Sequence, residues 1–305
     1  MPHASAANNE NMRPLTIVAD SNIASLDEFF NASTLGQHNK RPINIISVAG
    51  RAINADLLAE CQPDVLLIRS VTPVGEPLLS NNNSVQFVGS ATIGTDHVDQ
   101  TYLAARNITF ANAAGCSKHS VAQYVLTAIL NLRPQYWQKS TPPVTLGIIG
   151  LGNIGSTLVE YAHDLGWQVL GYDPLLPAST INNASLEQVL SQSHVISLHV
   201  PLTDKKHATN PTGSDYPTRH LIDKEALAAM PADTLLINSA RGPVINADDL
   251  QADIARTGRQ VVLDVFEHEP EIAANLLSKL AIATPHIAGY TLEGKLRGTQ
   301  MIYDA

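Results

Sequence analysis

The sequence predicts an α/β protein made of two doubly wound parallel-sheet domains. Two observations carry that reading. Short β-branched runs alternate with helical stretches from Leu15 to about residue 99, the alternation of a parallel sheet. A second series of the same kind begins at Val144, beyond a loop. The length agrees, since 305 residues exceed one ordinary core and suggest two.

In the first series, Leu15–Ala19 reads as a strand ending in Asp20, and Ser25–Phe30 as the start of a helix. Asn44–Val48, Val65–Ile68 and Gln86–Gly89 are further strands. Ser120–Leu132 is an unbroken helical pattern of Ala, Val and Leu, stopped by Pro134. Gln135–Pro143 reads as a loop. In the second series the predicted strands are Val144–Ile149, Gln168–Tyr172, Val195–His199, Thr234–Asn238 and Gln260–Val265. Between them lie predicted helices at Asn153–Leu165, Leu186–Leu190, Lys224–Met230 and Asp248–Arg256. Thr203–Thr218 reads as a long polar surface loop, and an apolar run from Leu280 to Thr284 leads to Pro285-His286. Residues 1–13 read as a flexible tail.

Composition excludes several classes. A net charge of −9 argues against nucleic acid or an anionic membrane as main partner, so an anionic substrate needs a local positive site. With 44% hydrophobic and 15% charged residues, the chain can bury large cores. The two cysteines, Cys61 and Cys116, stand far apart, which fits a reducing cytosol and offers neither disulfide framework nor metal spacing. Cys116, in Ala-Gly-Cys-Ser, is a possible nucleophile but reads better as a small buried thiol. The amino-terminal residues lack the apolar stretch of a secretory signal, and no apolar run has the ~18 residues of a membrane helix.

Gly150-Leu-Gly-Asn-Ile-Gly155 is a G-x-G-x-x-G, a weak signal by itself. Here a strand precedes it, a helix follows, and Asp173 ends the next strand, the context of a dinucleotide site. Gly150 allows the tight turn, Gly152 lets backbone approach a pyrophosphate, and Gly155 lets helix and strand pack closely. The helix N-terminus offers free N–H groups to the phosphates. Asp173 can accept hydrogen bonds from both adenosine ribose hydroxyls and would repel a 2′-phosphate. Pro174-Leu175-Leu176 bring no arginine to receive one, so NAD is expected rather than NADP.

Three further segments follow predicted strands. Asn238-Ser-Ala-Arg-Gly-Pro243 puts Arg241 at a strand's carboxyl end, where open α/β sheets hold ligands. Leu263-Asp-Val-Phe-Glu-His-Glu-Pro270 offers Asp264, Glu267, His268 and Glu269, and His286 comes last. Alone, His286 reads as an ordinary surface or packing histidine. With the others it gains a role: a guanidinium can grip a carboxylate and polarise a carbonyl, and a histidine paired with a carboxylate can shuttle a hydroxyl proton. Hydride transfer between a 2-hydroxy acid and nicotinamide needs that set.

Ser-Ala-Arg-Gly, Asp-Val-Phe-Glu-His-Glu-Pro and Pro-His-Ile-Ala-Gly resemble the NAD-dependent D-2-hydroxyacid dehydrogenase family, and the similarity runs from about Leu15 to the end. The resemblance implies a Rossmann-type NAD domain (113–286) inserted in a flavodoxin-like substrate domain (14–112 and 287–305). It makes Arg241 the substrate anchor, Glu269 the orienter and His286 the acid/base, and leaves Glu267 solvated. It implies cofactor contacts from Gly150, Gly152, Asn153, Ile154, Gly155, Asp173, Val200, Ser239, Ala240, Arg241, Asp264 and Gly289. Ser70, Thr92 and Tyr290 match substrate-contacting positions, with Arg69 or Lys295 offered to a phosphate or simply to solvent. The stretches Phe87–Asp99, Ala114–Cys116 and His286–Lys295 resemble a branch acting on a phosphorylated four-carbon hydroxy acid. That branch is homodimeric and carries a further C-terminal domain. This chain stops at Ala305, so that domain is expected to be absent. Two rivals remain: a dehydrogenase for 3-phosphoglycerate or glycerate/hydroxypyruvate, and a non-catalytic NAD-binding regulator.

Overall fold

A computed structural model describes residues 13–36, 40–137, 143–177, 179–180, 183–206 and 213–305. The predicted tail up to residue 12, and the central parts of the predicted loops Gln135–Pro143 and Thr203–Thr218, lie outside them. In chain order the first elements are β1 Leu15–Asp20, α1 Leu26–Phe29, α2 Ala32–Leu35, β2 Ile43–Val48, α3 Ala55–Cys61, β3 Val65–Ile68, α4 Glu76–Leu79, β4 Phe87–Ser90, α5 Gln100–Ala105 and β5 Thr109–Asn112. Then follow α6 Lys118–Leu132, β6 Thr145–Ile149, α7 Asn153–Asp164, β7 Gln168–Tyr172, α8 Leu186–Gln192, β8 Val195–Leu198, α9 Lys224–Ala229, β9 Leu235–Asn238, α10 Ala247–Thr257, β10 Val261–Leu263, α11 Ala274–Leu277, β11 Ile282–Ala283 and α12 Leu292–Asp304.

The chain divides into two compact units, residues 1–117 with 292–305, and residues 118–291. Both crossings fall five residues beyond the expected 112/113 and 286/287. Hydrogen bonding explains the shift. Ala113 N–H still reaches Ser90 O in the first sheet (3.0 Å), while Ile287 and Ala288 N–H are held by Asp264 in the second unit (2.8 and 2.9 Å).

The first unit has five parallel strands in the order β2-β1-β3-β4-β5, the flavodoxin-like order. Its buried strands alternate between two cores, as a pleated sheet covered on both faces requires. Ile17 and Ala19 face one core with Leu67, while Val18 faces the other with Leu66 and Ile68. Ile302 of α12 joins the Ile17 core, and Thr299 Oγ1 donates to Ala24 O (2.8 Å), so the end of the chain packs on this sheet. Side-chain caps start the helices where the sequence supplies Asn or Asp. Asn54 accepts from Leu57 N–H and Asp99 from Tyr102 N–H (both 2.9 Å).

The second unit has six parallel strands in the order β11-β10-β9-β8-β6-β7. Asn183 adds one parallel bridge to Gly171, on the outer side of β7. Counting that bridge as a vestigial third strand gives the Rossmann order, with the switch point between β6 and β8. Alternation is clean here too: Leu235 and Ile237 pack against α6 and α7, Leu236 against α9 and α10. Thr203 and Thr218 exchange hydrogen bonds and pinch the base of the polar loop (2.8 and 3.1 Å). No helix among the described residues is long and apolar enough to cross a membrane.

Candidate active site and dinucleotide site

The glycine turn sits at the switch point of the second unit. Gly150 has φ +95°, and a Cβ there would lie 2.7 Å from His199 O and 3.0 Å from a Val200 methyl. Val200 therefore lines the turn from the neighbouring strand end. A Cβ on Gly155 would meet Gly150 O at 2.0 Å, so α7 rests directly on the turn. At Gly152, the N-cap of α7, a Cβ would meet nothing within 4 Å. Open space at a bare helix N-terminus fits a pyrophosphate. Asn153 and Ile154 form the first turn of that helix. Asp173 follows β7 with Oδ2 accepting from Leu151 N–H and Oδ1 from Leu175 N–H (both 3.0 Å). Its carboxylate is thereby fixed beside the glycine turn, with acceptor capacity left for a ribose.

The bend after β9 is shaped by Asn238, a residue the sequence reading quoted without a role. Its Oδ1 accepts from Ala240 N–H (3.0 Å) and its Nδ2 donates to Arg241 O (2.9 Å). Ser239 Oγ is buried without a protein partner, an orphan polar atom suited to a bound cofactor. The half-buried Arg241 donates to Ala240 O (2.7 Å).

Glu269 follows β10 and His286 follows β11. Glu269 Oε1 accepts from Phe266 N–H (2.7 Å), and Oε2 lies 3.1 Å from His286 Nδ1. A carboxylate only accepts, so Nδ1 carries the hydrogen and Nε2 is left as the basic nitrogen. His286 is exposed and held at φ +56°, which an L-residue rarely adopts. Asp264, expected at the cofactor, is 1% exposed and organises this bend. Its Oδ1 accepts from Thr284 Oγ1 (2.6 Å) and Ile287 N–H (2.8 Å), its Oδ2 from Ala288 N–H (2.9 Å). Gly289 and Tyr290 close the bend, Tyr290 N–H donating to Ile287 O (2.8 Å) with its side chain 57% exposed.

Glu267 corrects the sequence reading. It is not solvated: Oε2 accepts from Ala247 N–H (2.7 Å) and Oε1 lies 2.5 Å from His220 Nε2. Burial pushes its carboxyl up, but these donors outweigh that and hold it below the usual range. A Cβ on Gly242 would overlap Phe266 O at 1.9 Å, so the Arg241 bend rests on the backbone of the Glu269 bend. The partners of Glu267, His220 and Ala247, lie 47 and 20 positions away in the chain, so its burial has no local sequence signal.

In the first unit, Ser70 and Thr92 stand at the carboxyl ends of adjacent strands, each two residues beyond the paired Ile68 and Ser90. Thr92 Oγ1 lies 2.8 Å from Ser90 Oγ. Arg69 follows β3 and Lys295 lies on α12. Cys116 is 6% exposed, and burial raises its thiol above the ordinary range despite Ser117, Arg69 and Arg297, which fits a packing thiol better than a nucleophile.

Residues 123–288 match the family described as D-isomer specific 2-hydroxyacid dehydrogenase, NAD binding domain. Among solved structures, the NAD-bound 3-phosphoglycerate dehydrogenase of Entamoeba histolytica is 21% identical with a TM-score of 0.76, covering 96% of this chain and 94% of that one. D-lactate dehydrogenase from Aquifex aeolicus, complexed with NAD and lactic acid, is 25% identical with a TM-score of 0.71, covering 94% and 93%. Relatives from Psychrobacter cryohalolentis (73% identical, 96% of this chain and 78% of that protein) and Acinetobacter baumannii strain AYE (48%, 95% and 76%) are both erythronate-4-phosphate dehydrogenases. The chain is an NAD-dependent oxidoreductase that belongs to the erythronate-4-phosphate dehydrogenases, within the D-isomer specific 2-hydroxyacid dehydrogenase family.

Proposed function

We propose that the protein oxidises 4-phospho-D-erythronate at its 2-hydroxyl to 3-hydroxy-2-oxo-4-phosphooxybutanoate, the reaction its relatives' name implies, within pyridoxal 5′-phosphate biosynthesis. The observation that carries the chemistry is the Glu269–His286 contact beside the Arg241 bend. NAD, when bound, accepts the hydride from C2. Arg241 holds the substrate carboxylate and polarises the C2 oxygen. His286 Nε2 takes the hydroxyl proton as the carbonyl forms, and Glu269 fixes the ring and balances the imidazolium charge. Gly150, Gly152, Asn153, Ile154, Gly155, Asp173, Val200, Ser239, Ala240 and Gly289 would hold the cofactor, while Asp264, buried and spent on the His286 bend, would act behind them. Ser70, Thr92 and Tyr290 would meet the substrate's hydroxyls and phosphate. The reading carries a homodimer, supported by family resemblance, and a cytoplasmic location, supported by the unpaired Cys61 and Cys116.

Purified protein given NAD and 4-phospho-D-erythronate should form NADH. Turnover with 3-phosphoglycerate or glycerate instead would reassign the substrate. Binding of NAD without turnover of any of these acids would favour the regulator.

A further inference from the structure

Helix α6 carries two polar side chains one turn apart on one face, Ser120 and Tyr124. Ser120 Oγ lies 2.7 Å from Thr291 Oγ1, and Tyr124 Oη lies 2.6 Å from Thr284 Oγ1. The helix thus grips both ends of the segment 284–291 that presents His286. The direction of the Tyr124 bond follows from counting hydrogens. Thr284 has a single hydroxyl proton, and it goes to Asp264 Oδ1, an acceptor-only carboxylate (2.6 Å). Tyr124 must therefore donate to Thr284. Asp264 in turn accepts Ile287 and Ala288 N–H, and its backbone carbonyl accepts His286 N–H (2.8 Å). His286 sits in the left-handed region between these anchors, a conformation worth holding only if the neighbours over-determine it.

We propose that Tyr124 and Thr284 are positioning residues for the reaction, forming a one-directional relay from Tyr124 through Thr284 to Asp264 that fixes the His286 bend. The proposal rests on His286 being the acid/base, and it gives α6 a task beyond packing. Neither hydroxyl needs to touch substrate or cofactor, because both act through the backbone of the bend.

Thr284→Val deletes the central hydroxyl, Thr284→Ser keeps it, and Tyr124→Phe removes only the outer donor. Thr284→Val should lower kcat ~10-fold or more, since a small misplacement of a catalytic group is costly. KM for NAD should stay within ~2-fold. Thr284→Ser should restore near-normal kcat, and Tyr124→Phe should fall between. In the cofactor-free protein, amide hydrogen exchange of the peptide spanning 284–291 should quicken in Thr284→Val and stay slow in Thr284→Ser. Wild-type kcat in both Thr284→Val and Tyr124→Phe would overturn the proposal, as would a kcat loss that Thr284→Ser shares or one matched by weakened NAD binding. His286→Ala, assayed alongside, separates the two readings. If it retains turnover, the acid/base assignment fails; if it is inactive while Thr284→Val is unaffected, only the relay fails.

Discussion

His286 Nδ1 lies 3.1 Å from Glu269 Oε2, and the other oxygen of that carboxylate is already taken by Phe266 N–H at 2.7 Å. The pair is therefore polarised in one sense: Glu269 accepts twice, and the free ring nitrogen is Nε2. His286→Ala should lower turnover ~10²-fold or more. Glu269→Gln is a sharper test. Its single carbonyl oxygen would stay on Phe266 N–H, turning an amide N–H toward Nδ1 and forcing the hydrogen onto Nε2. The base would then be the wrong tautomer, and kcat should fall ~10²-fold with little change in NAD affinity. Wild-type kcat in Glu269→Gln would remove Glu269 from the orienting role.

Strand-level periodicity made the fold legible because both sheets are covered on two faces, which leaves short apolar runs such as Val195–Leu198 and Leu235–Asn238 unmistakable. Edge and short elements were harder to see. β5 carries too few apolar positions for a period, and α12 begins inside the Tyr-Thr-Leu-Glu-Gly-Lys motif, whose polar residues mask its helical pattern. At the site, the residues in recognisable motifs were found at the strand ends where they were sought. Residues acting through others were not. Tyr124 and Thr284 pair across the fold, 160 positions apart, while Asn238 acts locally, bonding Ala240 N–H and Arg241 O within its own turn. Glu267 looks like surface charge in the sequence because the groups that hold it, His220 and Ala247 N–H, lie 47 and 20 positions away.

Asp173 tests the cofactor preference. Its two oxygens are anchored by Leu151 and Leu175 N–H, so the carboxylate is held in place before any ribose arrives. Asp173→Ser should weaken NAD binding ~10- to 100-fold, the worth of charge-assisted hydrogen bonds to two hydroxyls. It should also improve NADP relative to NAD by removing the charge that repels a 2′-phosphate. Steady-state kinetics with both dinucleotides measure this. An unchanged NAD/NADP ratio would show that selectivity resides elsewhere.

Arg259 is the largest fully buried side chain among the described residues and makes four hydrogen bonds. It donates to Asp253 Oδ2 (2.6 Å), Pro231 O (2.8 Å), Leu227 O (3.2 Å) and Thr234 O (3.4 Å), tying α10 to the ends of α9 and β9. Arg259→Leu would strip the buried Asp253 Oδ2 of its donor while Arg256 still holds Oδ1 (2.5 Å), and would take one donor from each of three carbonyls, costing about 1–3 kcal/mol. Denaturant unfolding should show that loss, and adding Asp253→Leu should recover part of it, because the half-satisfied buried carboxylate is then gone. A double variant less stable than Arg259→Leu alone would contradict this account.

His199 should make stability fall with acid before the carboxylates titrate. Its Nε2 lies 2.9 Å from Ser197 Oγ, its Nδ1 is buried without a partner, and burial lowers its pKa from 6.5 to about 4. Above pH 6.5 the ring is neutral in both folded and unfolded chains, and its contribution is fully present. As pH falls below 6.5 the unfolded chain takes up a proton that the folded one refuses until about pH 4. Stability therefore drops across that window, by up to ~1.4 kcal/mol per pH unit for one group. The other histidines and the acidic groups add their own slopes, so the measurement is a difference: urea midpoints at pH 7.5 and 5 for the wild type and for His199→Gln. The variant should lose less stability between the two pH values. Parallel losses would mean that His199 is protonated as readily in the folded chain as in the unfolded one.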